Sequence, residues 1–325
     1  MTAEVAHDTA WLPHDMTADT VMLVRTSPER LAEAAFLDGR ERFWTNTAEM
    51  PIAEYLEAMR QLPEMPLRLI LHVSFCGSTL LSRFLENSGR SVIYREPAIH
   101  VALADRMAAG GSVADICDAS DRAFARRIDD AVAIVKPTSW ANALLPLWTT
   151  VPGFNPIFIT MEPRSFLRAA FRGGRERLAF VLRLAQHLAA ARRTSAWLLK
   201  SATIPSSQPL LPAARLTLAA LHLQTSLMRE ARKARSLSRD VVLDAADIFR
   251  DAREAAHRAS HTLSLEIGSD SARTGCWSDA NAKDPKAPFS RAEEDAANAQ
   301  IESFHGPLFD AALIWADQQG LAFSV

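Results

Sequence analysis

At 325 residues the chain can bury a large core, and one or two domains are expected. A hydrophobic fraction of 48% and a charged fraction of 23% are those of a globular protein, and a net charge of −2 gives no global pull towards nucleic acid. The three cysteines, Cys76, Cys117 and Cys276, are too scattered for a disulfide framework or a zinc site. A reduced, cytoplasmic setting is therefore expected.

The first stretch, Met1–Asp15, is polar and acidic, unlike a signal peptide. Val21–Val24 reads as a short strand, and Ser27–Leu37 as a helix capped by Ser27 with Pro28 at its first position. Ile52–Leu62 reads as a second helix, and Pro63 and Pro66 mark the entry to a new region. Residues 1–66 are thus expected to be an appendage on a larger domain, 67–325. From Leu67 onward short apolar strands alternate with helical segments, which predicts a parallel sheet covered on both faces.

The strands fall at Leu69–Val73, Ser91–Tyr94, Ala131–Val135, Pro156–Thr160 and Val241–Leu243. Helices are expected at Ser165–Arg172 and Glu176–Leu199, divided by Gly173-Gly174, and at Pro212–Arg235 and Arg250–Leu263. Gly275–Pro288 reads as a polar loop. Ala292–Gln319 reads as a closing helix that buries Ile301, Phe304, Leu308, Ala312 and Trp315. No uninterrupted apolar run approaches the ~18–20 residues of a membrane span, so no membrane partner is expected. The nearest, Leu210–Leu223, contains Arg215.

The most informative segment is Leu69–Leu85. An apolar strand breaks at Ser74–Gly77 and restarts as a helix at Ser78, with Leu80, Leu81, Phe84 and Leu85 on one face. Gly77 allows a tight bend, and Ser78 and Thr79 place hydroxyls in the first turn. A strand feeding such a turn leaves N–H groups free to bind a phosphate or sulfate. No Lys precedes Ser78, so this is not the kinase-type phosphate loop.

The run Phe75-Cys76-Gly77-Ser78-Thr79-Leu80-Leu81 resembles instead the 5′-phosphosulfate loop of the sulfotransferases. The later strands end in turns that continue the resemblance: Arg95-Glu96-Pro97, Lys136-Pro137-Thr138 and Met161-Glu162-Pro163-Arg164. It implies a P-loop-type three-layer α/β/α fold with a central parallel sheet of about five strands. It implies 3′-phosphoadenosine-5′-phosphosulfate as co-substrate, bound by Phe75, Cys76, Gly77, Ser78, Thr79 and Leu80, and no metal. It further implies Glu96 as the base and Lys136 as the cation on the transferring group.

Two departures stand out. Phe75 occupies the place of a loop cation, so Lys136, Arg95 or His72 must substitute, or transfer is slow or absent. Met161 occupies the place of the strand-four Arg. Arg164, Arg168 and Arg172 are read either as replacement charge for the 3′-phosphate or as a solvated basic face. Lys283 and Lys286 resemble the family's late nucleotide-binding residues, and Trp140 or Trp277 is a candidate to stack on adenine. His72 reads as a hydrogen-bonded core residue. Cys76, beside a helix N-terminus, is expected to have a lowered thiol pKa but to serve as a small residue in a tight turn.

The function expected is transfer of a sulfuryl group to a hydroxyl or amine of a small-molecule or peptide acceptor. The alternatives are a non-catalytic module of the same fold that binds an adenosine nucleotide or a partner, and a phosphoryl transferase. The acceptor site is expected from residues 104–130 and 173–210, the variable connections.

Overall fold

The strand–helix alternation that begins at Arg68 builds a five-stranded parallel sheet, and the segment before it builds a separate antiparallel one. The computed structural model describes residues 7–86, 90–128, 130–192, 195–265, 280–281, 284–288 and 290–325.

Strands β1 (Trp11–Met16), β2 (Thr20–Arg25) and β3 (Asn46–Pro51) pair in the order β1-β2-β3. Helix α1 (Pro28–Glu33) lies between β2 and β3, and α2 (Ile52–Arg60) follows. Ser27 caps α1 as expected, accepting from the Arg30 N–H. The helix ends at Glu33 rather than Leu37. The buried Arg95 guanidinium takes the carbonyls of Leu31, Ala32 and Ala34, which pulls Ala34 into an extended conformation.

The main sheet contains β4 (Arg68–His72), β5 (Ser91–Arg95), β6 (Val132–Lys136), β7 (Asn155–Thr160) and β8 (Val242–Asp244) in the order β5-β6-β4-β7-β8. All neighbours pair in parallel. The central β4 is dry on both faces, with Leu69, Ile70 and Leu71 fully buried. Such a strand needs no alternation of polar and apolar residues.

Helices flank the sheet in a three-layer α/β/α arrangement. They are α3 (Ser78–Glu86), α4 (Ala98–Ala108), α5 (Ala114–Ala125), α6 (Leu145–Trp148), α7 (Pro163–Arg172), α8 (Gly174–Ala191), α9 (Ala196–Ala202), α10 (Leu211–Ala234), α11 (Ala245–Arg250), α12 (Ala252–Thr262) and α13 (Arg291–Gln318). A 3₁₀ turn, Ser139–Leu144, leads into α6. Residues 275–288 are not wholly loop: Ala280–Asn281 (β9) and Asp284–Pro288 (β10) pair antiparallel. No helix among the described residues is long and apolar enough to cross a membrane.

Strand order fixes where a ligand fits. The chain leaves β4 towards β5 and leaves β6 towards β7, so connections from these two neighbours diverge. A crevice opens beyond their C-terminal ends, where open α/β sheets bind ligands. The N-terminal segment is stitched to this edge, because Leu37 N–H donates to Arg95 O (2.7 Å) and Ala98 N–H to Leu37 O (3.1 Å).

Candidate active site

A cleft of about 1460 Å³ occupies this crevice. It is larger than the ~300–1,000 Å³ of most small-ligand pockets, with room for two reactants. Phe75, Cys76, Gly77, Ser78, Thr79 and Leu80 all line it, as do His72, Ser74, Glu96, Ser139, Trp140, Arg168, Arg172, Arg177 and Phe249.

The loop after β4 is shaped by two left-handed residues, Phe75 (φ 66°) and Gly77 (φ 79°). That conformation is routine for Gly and strained for Phe, and strain of this kind collects at functional sites. The bend turns the start of α3 into the cleft. Leu81 N–H is the first amide of the helix to reach a carbonyl, that of Gly77 (3.1 Å). Among the described residues no backbone carbonyl accepts from the amides of Gly77 to Leu80. A Cβ on Gly77 would stand 3.0 Å from the Phe249 ring, so the glycine also makes room for that aromatic. Cys76 departs from expectation: burial pushes its thiol pKa up to about 11, outweighing the nearby Ser78 N–H.

Glu96 is also left-handed (φ 56°), although Pro97 follows it. A following proline disfavours the right-handed helical region, and Glu96 stands outside it. What fixes the residue is its surroundings. Its N–H donates to Lys136 O (2.6 Å), and its Oε1 accepts from Lys136 Nζ (2.8 Å). Its Oε2 lies 3.7 Å from the exposed Arg40 guanidinium. Lys136 is wholly buried, does not line the cleft, and pairs its ammonium with Glu96. Arg95 is not the partner of Glu96: it binds Glu86 (2.7 Å) and the α1 carbonyls.

His72 lines the cleft but carries no charge there. Burial first, and then the Lys136 charge, hold its pKa down to about 4. Its Nδ1 bonds Val73 O, and its buried Nε2 has no hydrogen-bond partner. Neither Arg95 nor His72 therefore substitutes for a loop cation.

The α7 arginines prove to be neither solvated nor gathered into one anion site. Glu162 caps α7, accepting from Arg164 N–H and Ser165 N–H, and Pro163 occupies the first turn. Arg164, Arg168 and Arg172 then form an i, i+4, i+8 stripe that meets the stripe Glu294, Asn298, Glu302 of α13. Arg164 binds Glu302 (2.9 Å) and Asp310 (2.6 Å) and does not line the cleft, where a nucleotide contact was expected. Arg172 binds Glu294 (2.7 Å) and Asn298 (3.0 Å). Arg168 donates to Ser165 Oγ (2.8 Å) and remains on the cleft wall.

This pairing also explains Phe304. The inward face of the first half of α13 is the polar stripe, and Phe304, two residues on from Glu302, is turned away by roughly 200°. It is 72% exposed, and Phe309 fills the core instead.

Arg177 and Phe180 enter from α8, inside the stretch 173–210 from which acceptor-site residues are expected, whereas none of the described residues of 104–130 lines the cleft. Sequence reasoning did not place Phe249 of α11 in the cleft, nor Phe36, Asp38 and Arg40 of the N-terminal segment. The signal for Arg177 was the Gly173-Gly174 pair. Gly174 takes the left-handed turn (φ 63°), and Gly173 leaves the space that the Arg177 stem occupies. Trp140 lines the cleft but is stacked on His187 (4.1 Å) and bonded to Asp105. Lys283 and Trp277 lie outside the described residues, as does the Lys286 side chain. Among the described residues no group of His, Cys, Asp or Glu is disposed to hold a metal ion.

No protein-family model matches the chain, and no curated protein matches it. Two solved structures align with it. One is a sulfotransferase domain from the curacin biosynthetic pathway: 10% identity over 75% of this chain and 99% of that one, TM-score 0.41. The other is a sulfotransferase from Alicyclobacillus acidocaldarius: 14% identity over 76% of this chain and 97% of that one, TM-score 0.39. The chain resembles sulfotransferases in its course, and likeness of this size carries no argument about chemistry.

Proposed function

We propose that the cleft binds 3′-phosphoadenosine-5′-phosphosulfate and transfers its sulfuryl group to a hydroxyl or amine. The observation that carries this reading is the loop: a left-handed bend brings the start of α3, whose first amides meet no backbone carbonyl of the described residues, to a cleft beside a carboxylate. The hydroxyls of Ser78 and Thr79 add donors for the same anion. The family's site residues fit in part: the glycine and hydroxyls of the loop are present, whereas Phe75 and Met161 stand in place of the loop cation and the strand-four cation.

In this reading the acceptor oxygen or nitrogen attacks sulfur, and a new bond to sulfur forms. The bond from sulfur to the phosphate oxygen breaks, and its electron pair leaves with the phosphate. The acceptor proton passes to Glu96, the carboxylate on the cleft wall. Lys136 is a positioning residue: it orients Glu96 from behind. Phe36, Val101, Trp140 and Phe180 line the remaining wall and favour an acceptor with an apolar body, a small molecule or a peptide side chain.

Thermal shift tests the reading. Adenosine 3′,5′-bisphosphate is expected to raise the melting temperature, whereas ATP with Mg²⁺ is not. A shift with ATP and Mg²⁺ alone would favour phosphoryl transfer. A shift with the bisphosphate and no release of it from the donor would leave a binding module. The buried Lys136 and the neutral Phe75 are the features that favour that second reading.

A further inference from the structure

Of the guanidinium groups on the cleft wall, Arg253 is exposed to solvent, and Arg40, Arg168, Arg172 and Arg250 each have a carboxylate partner. Arg177 does not. It is half-buried, and no carboxylate of the described residues lies within ion-pair distance. Its contacts are one hydrogen bond to Ala169 O (3.1 Å) and the Phe75 ring, whose centroid is 5.1 Å from its guanidinium carbon. Burial first, and then the neighbouring Arg172, disfavour its charge and outweigh the more distant Glu294, so its pKa is lowered.

The placement is built rather than incidental. The stem of Arg177 lies across Gly173, where an added Cβ would stand 1.8 Å from the arginine Cδ. That seat holds the head over Phe75, the loop residue at the start of the amide-lined bend. An unpaired, partly desolvated charge is costly. It is retained where a ligand supplies the counter-ion.

We propose that Arg177 is the cation for the anion bound at the loop, supplied from α8 rather than from the loop itself. This rests on the reading that the loop holds a phosphosulfate. Arg177 then donates to the phosphate that leaves with the electron pair of the broken bond.

Calorimetric titration of inorganic pyrophosphate and of adenosine 3′,5′-bisphosphate tests it. Arg177→Met keeps the stem on Gly173 and removes the charge. Gly173→Ala keeps the charge and displaces it, at a position whose φ of −79° suits alanine. Both are expected to weaken pyrophosphate by about 10- to 100-fold, with Arg177→Lys recovering part of the loss. The ligand-free melting temperature of Arg177→Met is expected to equal or exceed that of the wild type. A wild type that binds no pyrophosphate, an Arg177→Met protein that binds it undiminished, or one that melts lower without ligand would each overturn the proposal. If pyrophosphate binds through Arg177 but the bisphosphate binds no tighter, the donor reading fails and the assignment of Arg177 stands.

Discussion

At the β5–β6 end of the cleft, Lys136 and Glu96 neutralise each other inside the protein, 2.8 Å apart. At the α7–α8 end, no carboxylate of the described residues is in ion-pair contact with Arg177, while Arg164 and Arg172 beside it are held by α13. The contrast separates charges that maintain the fold from a charge that awaits a ligand. A buried pair is costly to break on one side only, whereas an unpaired charge is costly to keep.

The largest effect expected is at Glu96. Glu96→Gln strands the buried Lys136 ammonium and should cost about 3–5 kcal/mol in urea unfolding. Adding Lys136→Met should recover most of that loss. Turnover should stay roughly 10²–10⁴ below wild type in both proteins, because the base is missing from each. A Glu96→Gln protein as stable as wild type would show that the pair is not coupled.

Next comes the pH dependence of stability. His72 has a folded-state pKa of about 4, below its unfolded value. Between those values the unfolded chain binds more protons, so stability is full above about pH 6.5 and falls as pH drops towards 4. The loss from His72 alone is roughly 3 kcal/mol, checked by urea unfolding at pH 7 and pH 4.5. His72→Gln should flatten the profile in part, since burial lowers His14, His187 and His222 in the same direction. A rising profile towards pH 5 would mean that His72 is charged and contributes a cation to the cleft.

The smallest effect is expected at Arg164. Its partners are half-exposed, so Arg164→Met should cost no more than about 1 kcal/mol and leave anion affinity unchanged. Loss of pyrophosphate binding in this variant would return Arg164 to the site.

The strands of the parallel sheet were legible because each is a short apolar run bounded by turn residues. The loop was legible because strand, Gly77 and hydroxyl-bearing helix start are contiguous. Pairings between distant segments were not. Nothing around Arg164 announces Glu302 and Asp310, and nothing around Arg95 announces the α1 carbonyls. The joint between the N-terminal segment and β5 was not legible either, because it is made by backbone groups of Leu37 and Arg95, which leave no mark in residue type. Helical periodicity placed Phe304 inward because it counted apolar residues, while the inward stripe of that half-helix is polar.

The measurement that bears most directly on the contrast is the affinity for adenosine 3′,5′-bisphosphate across three proteins: wild type, Arg177→Met, and the double variant Glu96→Gln with Lys136→Met. If the anion's charge is met from α8 and the strand-end pair is internal, Arg177→Met weakens binding by about tenfold or more and the double variant binds as the wild type does. If the double variant loses the ligand while Arg177→Met retains it, Lys136 is the cation and the account is wrong.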